Sequence, residues 1–166
     1  TIISTKTKPI QLTKDNYYSH NTDFDYMSFS VFKDFEKCEA AALAKIKDDW
    51  QPSSDPTSLL VGNYVHSYFE SQEAHEKFVE QNKKAMISSR GKTKGQLKSD
   101  YKIADSCIEM LDHDDFFKQI YEPGKKEVIV TGEINGRLWK GKIDSLVLNQ
   151  SYFCDLKTVD DIHKKH

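Results

Sequence analysis

Asn135-Gly136 constrains this chain more than any other two residues. Both central positions of a type I′ turn need positive φ, which Asn and Gly accept most readily, and that turn matches the twist of two antiparallel strands. The flanks agree. Glu127-Val-Ile-Val-Thr-Gly-Glu133 is rich in β-branched residues, and Arg137 to Leu148 supplies the return strand. Ser151 to Thr158 is a third strand-like run, joined to the second by Asn149-Gln150, which reads as another two-residue turn. The last third of the chain is therefore expected to be an antiparallel meander.

Counting outward from Asn135-Gly136, Ile134 faces Arg137 and Glu127 faces Asp144. Counting outward from Asn149-Gln150 sets Asp144 opposite Asp155. Three carboxylates then share one row across three strands, with Cβ atoms about 5 Å apart. Such crowding is destabilising unless something offsets it, and a divalent cation would. Lys157 lies two residues beyond Asp155, so alternation puts both on one face. A lysine there can orient or help deprotonate water and offset charge building on a phosphate. The alignment depends on both loop lengths, since one extra residue flips a strand. Asp-x-Lys alone is equally the pattern of a solvated face. Glu133 falls opposite Leu138 near the hairpin tip and reads as a surface acid.

Upstream the period changes to that of helices. Ser28 or Ser30 can cap a helix running to about Asp49, with Phe29, Phe32, Phe35 and Leu43 at near-helical spacing. Gln51 to Thr57, with Pro52 and Pro56, is a loop. A second helix is expected over Ser58 to Lys84, burying Leu59, Val65, Phe69 and Phe78. Ser88 to Gly95 is loop-like. A third helix follows over Gln96 to Tyr121, burying Ile103, Cys107, Met110 and Leu111, and Pro123-Gly124 ends it. Residues 1–12 are polar and read as extended or frayed. Helices first and a meander after make the fold class α+β, or a mixed α/β sheet, in one domain spanning 1–166.

Bulk properties narrow the function classes. The length of 166 residues supports a sizeable core, and a net charge of -2 argues against a generally basic nucleic-acid-coating protein. Charge is uneven, however. Lys83, Lys84, Arg90, Lys92, Lys94, Lys98 and Lys102 face a single acid, Asp100, across that stretch. It reads either as a solvated face or as a phosphate contact. No apolar run approaches the ~20 residues of a membrane span, and the N-terminal stretch lacks the apolar run of a signal peptide, so export is not expected. Cys38, Cys107 and Cys154 form no CxxC pair and read as buried free thiols in a reducing cytosol.

Trp139-Lys-Gly-Lys-Ile-Asp144, followed after ten residues by Asp155-Leu-Lys157-Thr158, resembles the PD-(D/E)XK nuclease core, specifically its RecE-type (exonuclease VIII) branch from phages and prophages. Met27-Ser-Phe-Ser30 resembles that branch's opening segment, and Gly62-Asn-Tyr-Val-His66 its G-x-x-x-H element. The resemblance implies a restriction-endonuclease-like core. It implies His66, Asp144, Asp155 and the Leu156 backbone carbonyl as metal ligands, Lys157 as catalytic, and Glu127 as the acid on the preceding strand. It covers about Leu12 to His166. Family members continue into a Q-x-x-x-Y helix and further strands, whereas this sequence stops nine residues after Lys157, so a fragment or a C-terminally shortened relative is expected. Some relatives carry an iron–sulfur cluster held by one N-terminal and three C-terminal cysteines. The C-terminal trio is absent here, and no cluster is expected.

The expected activity is that of a Mg²⁺-dependent DNA exonuclease, with Mn²⁺ as substitute, acting on the ends of linear duplex in phage-type recombination or repair in the cytoplasm. Lys92, Lys94, Lys140 and Lys142 are candidate DNA contacts. A homo-oligomer and a single-strand annealing protein are the expected partners, and a membrane is not. The competing expectation is a non-catalytic nucleic-acid-binding or interaction module that keeps the nuclease fold. Hydrolysis of some other phosphoester would share the same metal chemistry.

Overall fold

A computed structural model describes residues 8–53 and 56–159. The expectations for the first residues of the chain and for the stretch after residue 159 lie outside them. The fold is α+β: the described residues form seven α-helices and one sheet of order β1-β2-β3. The helices are α1 (His20–Asp23), α2 (Phe29–Lys37), α3 (Glu39–Ile46), α4 (Thr57–Glu70), α5 (Gln72–Met86), α6 (Ser99–Asp112) and α7 (Asp115–Tyr121). The strands are β1 (Lys125–Ile134), β2 (Arg137–Val147) and β3 (Tyr152–Cys154). Among the described residues no helix is long and apolar enough to cross a membrane.

Each of the three long helices expected from periodicity is broken into two, and at each break one residue leaves helical geometry. Cys38 (φ -163°, ψ 106°) separates α2 from α3, and Ser71 (φ -171°, ψ 159°) separates α4 from α5. Asp114 (φ -90°, ψ 108°) opens α7 one residue after His113 closes α6. Two of these residues restart the helix by capping it. Ser71 Oγ accepts from the Ala74 N–H at 3.1 Å and Asp114 Oδ1 from the Phe117 N–H at 2.7 Å. At the start of α2, Ser28 rather than Ser30 takes the cap, accepting from the Val31 N–H at 3.3 Å.

The chain divides into two compact units, with β1 and β2 running through both. In the unit of residues 1–53 and 129–142, Tyr17, Tyr26, Ala42 and Ile46 are buried. Met27 forms a parallel bridge to Trp139, closed by Met27 N–H to Leu138 O and Lys140 N–H to Met27 O, both 2.8 Å. The expected stripe of α2 and α3 is only partly right, because Phe29, Phe32 and Leu43 are exposed.

In the unit of residues 54–128 and 143–166, Tyr64, Val65, Met86, Tyr101, Ala104 and Ile108 form the core, with Leu60, Val61, Phe69, Phe78 and Leu156 packed against it. The buried face of α6 therefore runs Tyr101, Ala104, Ile108, at i, i+3 and i+7. Ile103, Met110 and Cys107, expected inside, are exposed, and of the other two cysteines expected to be buried Cys38 is exposed and Cys154 only half-buried. On α4 the core takes Leu60 in place of the expected Leu59.

The hairpin is as the sequence implies. Asn135 (φ 51°) and Gly136 (φ 74°) are both left-handed, as a type I′ turn requires. The second loop is longer than expected, with a 3₁₀ turn at Leu148–Gln150 and a left-handed Ser151 (φ 56°). The register is still the one counted from the sequence: Ser145 pairs Cys154, Leu146 pairs Phe153 and Val147 pairs Tyr152. A two-residue turn and a four-residue loop centred on the same dipeptide give one register. β3 is shorter than expected, ending at Cys154 before the Asp144–Asp155 pair would form.

Candidate metal centre

Three side chains from three elements of one unit converge. His66 on α4, Glu127 on β1 and Asp144 on β2 each offer a ligand atom, all within 4.8 Å of one another. Glu127 and Asp144 are buried and His66 is partly so. His66 sits on the face of α4 beside Val65, which is held in the core. One turn earlier, a Cβ at Gly62 would lie 3.0 Å from Thr158 Oγ1, so glycine there lets α4 approach the segment that follows Lys157. Glu127 has φ 53° inside a strand, a conformation uncommon for a non-glycine residue and one that marks functional sites.

Asp144 is the electrostatic hub. Burial pushes its pKa up, but other effects outweigh it and hold the carboxyl below its ordinary range. These are the hydrogen bond from His66, the Leu156 N–H, and the charges of His66 and Lys157. The contacts are His66 Nδ1 at 3.5 Å from Asp144 Oδ2, and the Leu156 N–H donated to the same oxygen at 2.6 Å. Leu156 can donate there because its side chain is anchored in the core of the unit.

One oxygen of Glu127, Oε2, is buried and accepts no hydrogen bond among the described residues, although the residue itself makes other contacts. Tyr121, not singled out from the sequence, belongs to this environment. Burial, and then the charges of Asp144 and Glu127, push its phenol well above the usual range. Glu70, one turn beyond His66 on α4, contributes to the same field. No motif marks either residue; only packing brings them there.

Asp155 lies outside the cluster. It is exposed and pairs with Lys157 at 2.7 Å, with side chains 44% and 72% exposed. The expected row of three acids is thus two acids and an imidazole, since the chain leaves the strand after Cys154 and Leu156, not Asp155, turns inward. Lys92 and Lys94 sit on an exposed turn bounded by the Ile87–Leu97 bridge. Lys140 requires a correction. Its ammonium is buried, paired to Asp23 at 2.7 Å and donated to Tyr17 O and Thr22 Oγ1, so it cannot reach a phosphate. Lys142 is half-buried beside two tyrosine rings.

The donor set suits a divalent cation. Ligands held about 2.1 Å from an ion stand roughly 3–4 Å from one another, which the cluster's spacing permits. Two carboxylate oxygens with one imidazole nitrogen fit a harder divalent ion that tolerates nitrogen.

Residues 28–166 match the family described as a PDDEXK-like domain of unknown function (DUF3799). The chain belongs to this family. A solved structure from Eubacterium rectale, described as a "Putative exonuclease", shares the PDDEXK-like fold with a TM-score of 0.73 and 36% sequence identity. The alignment covers 84% of this chain and 51% of that one, so the chain spans about half the length of its solved relative. Among curated proteins, none matches the chain. His66, Glu127 and Asp144 lie within the matched residues, as do Asp155 and Lys157.

Proposed function

We propose that this protein is a divalent-metal-dependent DNA exonuclease of the RecE type, cutting phosphodiester bonds from the ends of linear duplex in the cytoplasm. The observation that carries this reading is the convergence of His66, Glu127 and Asp144 in a PDDEXK-like chain that also presents Asp-x-Lys next to the cluster. Those three residues, with Asp155 and the Leu156 carbonyl, would hold the ion, Mg²⁺ or Mn²⁺. When bound, it supplies Lewis-acid stabilisation of phosphate oxygens and lowers the pKa of water. Glu127 orients the attacking water. Lys157 donates hydrogen bonds to a non-bridging phosphate oxygen and offsets the charge that grows as the nucleophile attacks. The Leu156 N–H keeps Asp144 aimed while the phosphate turns over. Lys92, Lys94 and Lys142 are proposed contacts to the DNA backbone.

In this scheme Asp155, which pairs with Lys157, would serve as a further ligand, and Lys157 would face the substrate phosphate. The outward pose of Asp155 equally favours a second reading, a binding module that keeps the fold without catalysis. Digestion of end-labelled linear duplex against a covalently closed circle, with millimolar Mg²⁺ or Mn²⁺ or with EDTA, separates them. Metal-dependent loss of label from the linear substrate alone is expected. Asp144→Asn and Lys157→Ala should each reduce it by at least about a hundredfold. Undiminished digestion by both folded variants would rule the assignment out.

A further inference from the structure

Tyr18 is 72% exposed, yet it is not loosely held. Its neighbour Tyr17 is buried, and the two rings meet edge to face at 4.9 Å and 88°. The backbone at this point is pinned from two sides. The Tyr17 N–H donates to Thr13 O at 3.0 Å, and the Tyr17 carbonyl accepts from Lys140 Nζ at 2.8 Å. That ammonium is itself locked to Asp23 at 2.7 Å, in a pair whose side chains are 3% and 9% exposed. Lys142 Nζ stands 4.7 Å from the centroid of the Tyr18 ring and 5.8 Å from that of Tyr17. The result is an open aromatic face, fixed in place by a buried ion pair, with a cation against its ring.

Those are the two elements of surfaces that hold single-stranded nucleic acid. An aromatic ring stacks on a base of any sequence, and a cation beside it takes the backbone phosphate. A ring already immobilised loses little further freedom on binding. In duplex DNA the base faces are covered by their neighbours, so stacking rewards an unpaired nucleotide. An acidic peptide would meet the cation and leave the ring unused. Lys142 also precedes Asp144 by only two residues in the chain.

We infer that Tyr18 and Lys142 form a stacking site for an unpaired nucleotide, so that the DNA this protein engages includes a single-stranded or frayed segment. This rests on the nuclease reading for its link to function. The test is fluorescence anisotropy with short labelled oligo(dT) and a blunt duplex of equal length, in EDTA, using the whole chain. Tyr18→Ala should weaken oligo(dT) binding roughly tenfold. Tyr18→Leu, which keeps apolar bulk but has no π face, should weaken it as much, and Tyr18→Trp should restore it. Duplex affinity should fall by no more than about twofold.

Equal losses on oligo(dT) and duplex would overturn the proposal, as would unchanged oligo(dT) binding by Tyr18→Leu or displacement of oligo(dT) by polyglutamate at matched charge. The nuclease reading is measured apart from this, by metal-dependent hydrolysis of bis(p-nitrophenyl) phosphate by the unaltered chain, a reaction that needs no base stacking. Ring-dependent oligo(dT) binding without that hydrolysis would retain the stacking site and remove the nuclease assignment.

Discussion

Lys140 shows how far one residue's role can depart from its type. It sits in Trp139-Lys-Gly-Lys142, where alternation and charge suggest a hand held out to phosphate. Instead its ammonium has three partners, Asp23, Tyr17 O and Thr22 Oγ1, at 2.6 to 2.8 Å. Removing one half of a buried ion pair leaves the other charge uncompensated, which costs about 3–5 kcal/mol. Lys140→Ala should therefore lower unfolding free energy by that order in urea titration, whereas a surface phosphate contact would leave the midpoint nearly unchanged. Asp144 is the opposite case. Its carboxyl is buried as expected of a site residue, and its partners keep it charged. His66 was named through a resemblance, and no spacing rule in the chain would otherwise have joined residues 66, 127 and 144.

At the scale of elements, turn chemistry was legible and helix breaks were not. Asn135-Gly136 specifies its own backbone conformation, so the hairpin follows from two residues. The β2–β3 register is the same for a two-residue turn and for the observed four-residue loop because both share a centre. Periodicity, by contrast, passes straight across Cys38, Ser71 and Asp114, since a single extended residue barely disturbs a hydrophobic stripe. Hydropathy puts Ile103 and Met110 on the inner face of α6, whereas Tyr101 and Ala104 are the residues it buries. Volume and fit, not hydropathy, chose the face.

The turn between α7 and β1 carries a sharp prediction of this kind. A Cβ at Gly124 would overlap Ser145 Oγ and crowd the Leu146 amide. Ser145 is fully buried and donates to Tyr121 O at 2.6 Å, so it has nowhere to move. Gly124→Ala should cost about 1–3 kcal/mol, read as a lowered denaturation midpoint, and Gly132→Ala, with open space around it, should not show that clash penalty.

For the whole molecule, the two compact units divide β1 and β2 between them, and the candidate metal centre lies wholly in one. Any ligand that only the folded state binds must raise its stability, by about 2.7 kcal/mol at a hundredfold excess over Kd. Millimolar Mn²⁺ or Mg²⁺ should thus raise the melting temperature by several degrees, and Asp144→Asn should abolish that rise. A metal-insensitive melting curve in the unaltered chain would favour the non-catalytic module.

What the sequence by itself determined is whatever is written within a few residues: the hairpin turn, the strand alternation, the β2–β3 register, a serine cap at the start of α2 and the Asp-x-Lys motif. Those depend on φ preferences and on the period of two, which need no distant partner. Only the tertiary structure decided that His66 meets Glu127 and Asp144, that Asp155 turns outward to Lys157, and that Lys140 is spent on Asp23. Each of these is a choice of which face packs against which. That choice is made by close packing and the satisfaction of buried charge across more than fifty residues of chain in the first and third cases. In the second it is made by where β3 stops and Leu156 finds the core.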